Sequence, residues 1–195
     1  ASLDELPRLY GIAPSAVVCD AHPDYASRQM AQASGLPLIT VPHHYAHALA
    51  CMAEHGLKSP LLAITWDGIG LGDDGGLWGG EFLQIEVDGY SRVASFWPLR
   101  LPGGEKAVKE PRRVALAVLY ELYGDMLTAH LPQALRCAFS DNELTTLLSM
   151  LQKGINTPPC SSVGRLFDAV AALLGLCPVN SFEGQAAMLL EAAAG

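Results

Sequence analysis

The apolar positions of the chain fall into short runs separated by turn residues. Ser15–Cys19 (SAVVC), Leu38–Val41 (LITV) and Leu61–Trp66 (LLAITW) are β-rich runs of strand length. Tyr25–Ser34 is helix-compatible and stops at Gly35, and His43–Glu54 is a second helix, opened by Pro42 and closed by His55-Gly56. The order β-α-β-α-β predicts an α/β fold with a parallel or mixed sheet. The pattern then changes. Residues 67–80 (DGIGLGDDGGLWGG) read as one long glycine-rich turn, and Glu81–Val87 alternates apolar and polar residues up to a turn at Asp88-Gly89. Arg92–Trp97 pairs beside it as an antiparallel extension. From Lys106 onward the chain reads helical, with helices over Arg113–Tyr123, Glu143–Gln152, Val163–Leu174 and Glu183–Ala194. The expectation is an α/β part over about residues 1–100 and a mainly helical part over about 101–195.

Composition narrows the functional classes. Half of the 195 residues are hydrophobic, enough for a sizeable core. A formal net charge of -8 argues against a nucleic-acid or membrane-surface partner, since phosphates attract basic faces. No apolar run approaches the roughly 20 residues of a membrane span. The five cysteines form no CxxC pair and no zinc-ligand spacing, which fits a reduced, cytoplasmic protein.

The chemistry-bearing residues cluster at strand ends. His43 and His47 stand four apart, so a helix places both imidazoles on one face, about 5–6 Å apart at Cβ. Such a pair can share a divalent metal, or the two rings can be hydrogen-bonded to neighbours. His44 and Tyr45 point to other faces, His44 toward substrate or the helix start and Tyr45 toward packing. Asp20, His43 and Asp67 sit at or just after predicted strand ends, and His22 follows Asp20, so one rim of an open sheet would gather them. Gly68, Gly70 and Gly72 could let backbone N–H groups approach an anion, although a plain hairpin loop has the same composition. The stretch 161–175 (SSVGRLFDAVAALLG) opens with capping serines, and Gly164 leaves room at a helix N-terminus, where anions are favoured. Asp168, one turn on, could reach a ribose hydroxyl or simply lie on the surface. Glu183 fits a first helical turn.

Taken together, DAHPDY (20–25), HHYAH (43–47), DGIGLGDDGGLWGGEF (67–82), LPGGEKAVKEPRRVALA (101–117), SSVGRLFDAVAALLG (161–175) and SFEGQAAMLLE (181–191) resemble one family. They are similar to the C-terminal carbamoyl-transfer domain of the HypF family of hydrogenase-maturation proteins. The antibiotic O-carbamoyltransferases and the tRNA threonylcarbamoyl-transfer proteins share the fold more distantly. The resemblance implies an actin/Hsp70-like, RNase-H-type sheet with helical insertions. It also implies a carbamoyl-adenylate, made from carbamoyl phosphate and ATP by other domains, whose carbamoyl group passes to the C-terminal cysteine of a HypE-like acceptor. By position it assigns His43 and His47 to a metal (Fe or Zn). Asp67 and the glycines after it fall to the carbamoyl and phosphate groups, with Asp20, His22 and His44 as further catalytic candidates. A nucleotide pocket is implied at Ser161, Gly164, Asp168, Gly175 and Glu183.

The departures from the family pattern are specific. Tyr45 replaces the middle histidine of H-H-H-A-H, Ile69 stands at the threonine of D-G-T-G, and Ser161 stands where the tRNA-modifying relatives carry an acid. The family's first glycine-rich hairpin is expected before residue 1, and an aspartate as third metal ligand after residue 195, so the chain reads as the middle of an incomplete domain. The competing readings are an O-carbamoyl or threonylcarbamoyl transferase and an inert nucleotide- or partner-binding module of the same fold.

Overall fold

The computed structural model describes residues 2–195, with side chains from residue 5 onward. After helix α1 (Ser2–Tyr10), strand β1 (Val17–Asp20) leads through α2 (Ala26–Ala33) to β2 (Leu38–Val41), and the two strands pair in parallel from Val17↔Leu38 to Asp20↔Val41. This is a β-α-β unit, with the helix as crossover. Helix α3 (His43–His55) follows immediately, with Pro42 at its N-cap and Gly56 in the left-handed conformation at its C-cap. These elements match the periodicity closely.

The third predicted strand goes elsewhere. β3 (Leu61–Leu71) does not join β1 and β2; it forms a hairpin with β4 (Leu77–Ile85), to which β5 (Tyr90–Ser95) is also antiparallel. The expected single β-α-β-α-β sheet is therefore two sheets. β3 finds its partner across a short turn, and α3 packs on the hairpin through Ala48, Tyr45 and Met52 against Trp78, Leu83 and Ile85.

The glycine-rich stretch is also corrected. Only residues 72–76 make the turn, closed by Gly72 and Gly76 backbone bonds, and the rest of 67–80 is strand. Its glycines admit bulky neighbours. A Cβ on Gly70 would stand 2.6 Å from His44 Cε1, and one on Gly72 would stand 2.2 Å from Trp78 Nε1.

The second sheet continues through β6 (Leu99–Arg100) and β7 (Pro159–Cys160), with β7 parallel to β4. Strands from both sides of residue 100 thus share it. Around it lie α4 (Glu105–Lys109), α5 (Pro111–Tyr123), a 3-10 helix (Gly124–His130), α6 (Gln133–Arg136), α7 (Asp141–Lys153), α8 (Val163–Leu173) and α9 (Gln185–Ala194). The main core gathers Leu101, Val114, Leu116, Leu151, Cys160 and Ala169 beneath α5 and α8. Arg112 and Arg113 are paired inside the fold: Glu110 accepts from Arg113 Nε at 2.8 Å and from Arg112 Nη2 at 2.7 Å. No described helix is long and apolar enough to cross a membrane.

Candidate functional site

A bulge creates the site. Trp66 pairs with Gly80 and Gly70 with Trp78, so four steps along β3 face two along β4. The two extra residues push Asp67–Ile69 out of the ladder, as bulges do where a side chain must be re-aimed. Gly79 makes room, since a Cβ there would stand 2.8 Å from the Asp67 carbonyl and from Ser162 Cβ. Asp67 Oδ1 accepts the Gly68 N–H at 2.6 Å, which turns Oδ2 toward α3.

Three imidazoles meet that oxygen. His43 Nε2 is 2.9 Å from Asp67 Oδ2, and His44 Nε2 and His47 Nε2 are each 3.7 Å away. His43 and His47 approach at 3.3 Å between their Nε2 atoms, as the one-face spacing requires. On its other side, His43 Nδ1 meets Asp20 Oδ2 at 2.7 Å. Asp20 also accepts the His22 backbone N–H at 2.8 Å. Burial pushes the Asp20 carboxyl up, but the His22 N–H and the His43 ring outweigh it and hold the carboxyl below the usual range. Asp20, His43, His47 and Asp67 are thus brought together from β1, α3 and β3.

Donor chemistry favours a cation at this point. The Nδ1–H···Asp20 bond fixes the His43 tautomer and leaves Nε2 with a free lone pair. Asp67 Oδ2 is buried and makes no well-aligned hydrogen bond, despite its close imidazole neighbours. Potential ligand atoms of His43, His47 and Asp67 lie within 4.8 Å of one another. Two nitrogens and a carboxylate oxygen converging with misaligned hydrogen bonds fit a shared divalent ion better than a hydrogen-bonded triad. Asp67, placed by the resemblance in the carbamoyl and phosphate loop, is the carboxylate that joins the two histidines.

The other candidates are placed differently. The His22 ring stacks on Tyr25 (4.3 Å, 6°) and its Nδ1 accepts the Asp24 N–H, so only its backbone serves the cluster. His44 is 1% exposed and wedged against Trp78 and Gly70, with Asp67 Oδ2 3.7 Å from its Nε2. Its burial lowers its pKa against the opposing pull of Asp67.

Gly70 and Gly72 are packing positions, whereas Gly68 stays open, its nearest neighbour Arg165 Nη2 at 4.0 Å. Gly164 brings α8 onto β3: its Cβ would stand 3.1 Å from Gly68 Cα. Ser161 is buried and donates to Glu81. Asp168 is 2% exposed and paired to Arg165 at 2.8 Å; burial raises its carboxyl against Arg165 and Asn180. Gly175 lies beyond the far end of α8, with a φ of 74° suited to a helix stop, a full helix length from Asp67. Glu183 lines an open cavity together with Gly68 and Arg165.

Two groups escaped the sequence reading. Glu81, fully buried, accepts from Gly79 N–H (3.0 Å), Gly80 N–H (3.2 Å), Arg92 Nε (2.6 Å) and Ser161. It ties β4 to the 161–162 corner, where Ser162 Oγ caps α8 and donates to the Asp67 carbonyl at 2.8 Å. An acid among the inward positions of β4 was the available signal. Arg165 was hidden by an ordinary amphipathic helix pattern.

The chain matches the family described as "Carbamoyltransferase, Kae1-like Domain, second subdomain" over residues 63–195, and the family "HypF Kae1-like domain" over residues 1–54. It belongs to the HypF family. It is 42% identical to Carbamoyltransferase HypF of Synechocystis over 98% of the chain and 26% of that protein. It is 45% identical to the Rhodobacter capsulatus HypF over 95% of the chain and 25% of that protein. A crystal structure of full-length HypF in the phosphate- and nucleotide-bound form superposes with a TM-score of 0.86 at 38% identity, covering 97% of this chain and 29% of the other. The T. kodakarensis HypF gives 0.87 at 33%, covering 99% and 27%. The chain therefore spans about a quarter of the length of its HypF relatives.

Proposed function

We propose that His43, His47 and Asp67 hold a divalent cation, Fe(II) or Zn(II), and that the chain is the carbamoyl-transfer part of a larger HypF carbamoyltransferase. In this reading the donor is a carbamoyl-adenylate, formed from carbamoyl phosphate and ATP by other domains. The acceptor is the C-terminal cysteine thiolate of a HypE-like protein. The relatives named carbamoyltransferase, matched along nearly the whole chain, support the reaction class. The observation that carries the site is Asp67 Oδ2, buried without a hydrogen bond at 2.9 Å from His43 Nε2. The Kae1-like matches on either side of the gap between residues 54 and 63 support an actin/Hsp70-like pair of subdomains, one for each sheet.

In the transfer, the thiolate forms a C–S bond to the carbamoyl carbon. The C–O bond to phosphate breaks and AMP leaves with the electron pair. A bound divalent ion supplies Lewis acidity for the oxygen that becomes negative. The chain's own residues fix the geometry. Asp20 orients His43, the Gly68 N–H orients Asp67, and Ser162 ties the Asp67 backbone to α8. The open face at Gly68 gives the carbamoyl group access.

The test uses the full-length protein. His47→Ala is expected to abolish carbamoylation of the acceptor cysteine while adenylate formation from carbamoyl phosphate and ATP continues. Transfer at the wild-type rate would remove the histidine pair from the reaction.

A further inference from the structure

The loop that follows β1 is built to hold one aromatic ring. The strand ends at Asp20, and the chain runs through Pro23 to Tyr25, the N-cap of α2. Both ends of the loop are pinned. Asp20 Oδ1 accepts the His22 N–H at 2.8 Å, and Asp20 Oδ2 meets His43 Nδ1. Arg28, in the first turn of α2, donates from Nη1 to the Ala21 carbonyl at 2.7 Å. His22 Nδ1 accepts the Asp24 N–H at 3.2 Å, which fixes its ring. The Tyr25 ring lies flat on that imidazole, with 4.3 Å between centroids and 6° between planes. A tyrosine stacked on a fixed ring has its phenol aimed by the stack.

Tyr25 stands beside the cation site without taking part in it. It is 38% exposed. After burial, Asp20 and then Asp67 push its phenol up. Asp20 ends β1 and Asp67 lies in the bulge of β3, so a group that feels both is next to the junction of the two sheets. The phenol keeps its proton there and can donate it to a hydrogen bond. Tyr90 differs, because its hydroxyl is committed to Asp73. An anion entering this junction meets two carboxylates, and the loop's own cation, Arg28, is turned to backbone carbonyls. A neutral hydroxyl can receive the anion without pairing with Asp20 or Asp67 itself.

We propose that Tyr25 is a substrate-contacting residue whose hydroxyl donates to the sulfur of the acceptor cysteine as it enters the cation site. His22 is the positioning residue, the platform that holds the ring. This rests on the acceptor-thiolate reading of the site and goes beyond it by naming the group that receives the sulfur.

The experiment is calorimetric titration of the full-length protein with the acceptor protein and with an acceptor whose terminal cysteine is replaced by alanine. Carbamoyl phosphate is left out, so binding is read without transfer. The wild type should prefer the cysteine form. Tyr25→Phe should reduce that preference about tenfold, the scale of a hydrogen bond to a charged group, and leave affinity for the alanine form unchanged. With carbamoyl phosphate and ATP added, Tyr25→Phe should raise the KM for the acceptor by a similar factor, while adenylate formation continues at the wild-type rate. His22→Ala should lose part of the preference, and His22→Phe, which keeps an aromatic platform, should restore it. An undiminished preference in Tyr25→Phe overturns the contact, as does equal binding of the two acceptors by the wild type. A loss of zinc binding in Tyr25→Phe also overturns it, because the effect is then structural. A full preference in His22→Ala overturns the platform. If neither acceptor binds the wild type, the acceptor reading itself falls.

Discussion

Asp20 and His43 are joined by a 2.7 Å hydrogen bond from the ring Nδ1 to a carboxylate oxygen, linking the end of β1 to the first residue of α3. A carboxylate behind a ligating histidine fixes its tautomer and raises its basicity, and its loss costs about 10–100-fold in metal affinity. Asp20→Asn is therefore expected to weaken zinc binding by about that factor, read by competition with a chromophoric chelator. His22→Ala serves as the contrast, because only the His22 backbone touches Asp20. Equal zinc affinity in Asp20→Asn and wild type would remove the supporting role.

Gly70 and Gly68 separate packing from access. A methyl group on Gly70 meets His44 at 2.6 Å and His43 at 2.9 Å, whereas one on Gly68 meets only Arg165 Nη2 at 4.0 Å. Overpacking of this kind costs about 1–3 kcal/mol. Gly70→Ala should lower the urea midpoint and weaken zinc binding together, while Gly68→Ala leaves both near wild type. The reverse order in the two measurements would contradict the assignment of the two glycines.

How legible all this was follows from the range of the interactions. β1, α2, β2 and α3 were readable because their apolar periods, Pro42 and Gly56 are local signals. The histidine face was readable for the same reason. The separation of β3 from β1 and β2 was not, because strand partnership is a long-range choice that periodicity does not encode. The strand character of residues 67–71 was masked by glycines, which break strand propensity while serving the ring contacts of His44 and Trp78. Asp67 was legible as a functional residue. Its place beside His43 and His47 depends on a bulge visible only once β4 is paired.

Glu81 and Arg92 form a pair whose acid is wholly inside the protein, with Nε at 2.6 Å and the guanidinium 4.4 Å above the Trp78 ring. Removing the cation from a buried acid costs up to about 3–5 kcal/mol, because the acid stays desolvated. Arg92, by contrast, is 29% exposed and also meets Asp74 at 3.3 Å, so the costly variant is the one that leaves Glu81 behind. Arg92→Met should approach that range by urea unfolding. Removing both charges by Glu81→Gln with Arg92→Met should cost less than Arg92→Met alone. A loss below about 1 kcal/mol for Arg92→Met, the level of an exposed pair, would contradict this.

Glu110 sets an acid limb. Burial raises its carboxyl, but the hydrogen bonds from Arg113 and Arg112 outweigh it and hold the pKa below 4.5. A depressed folded pKa means that the unfolded chain binds more protons as pH falls. The stabilisation is complete above about pH 4.5 and is lost as pH drops through the lower folded value. The difference in urea midpoint between wild type and Glu110→Gln should be constant from pH 7 to 5 and shrink below pH 4.5. A difference that grows on acidification has the wrong sign for this network.

Tyr45, the departure from the histidine-rich pattern, stacks on Tyr90 at 4.5 Å between ring centroids and 26° between planes. The Tyr90 hydroxyl donates to Asp73 in the 72–76 turn; burial first, and then that bond, push its pKa up, so the phenol keeps its proton. Position 45 therefore couples α3 to the tip of the β3–β4 hairpin and lies outside the His43–Asp67 cluster. Aromatic pairs of this geometry contribute about 0.5–1.5 kcal/mol beyond their buried area. A double-mutant cycle of Tyr45→Ala and Tyr90→Ala should return a coupling in that range. Zinc affinity should change by less than about threefold in Tyr45→Ala, a shift well under 1 kcal/mol. Loss of zinc binding comparable to that of His43→Ala would instead place Tyr45 in the cation site.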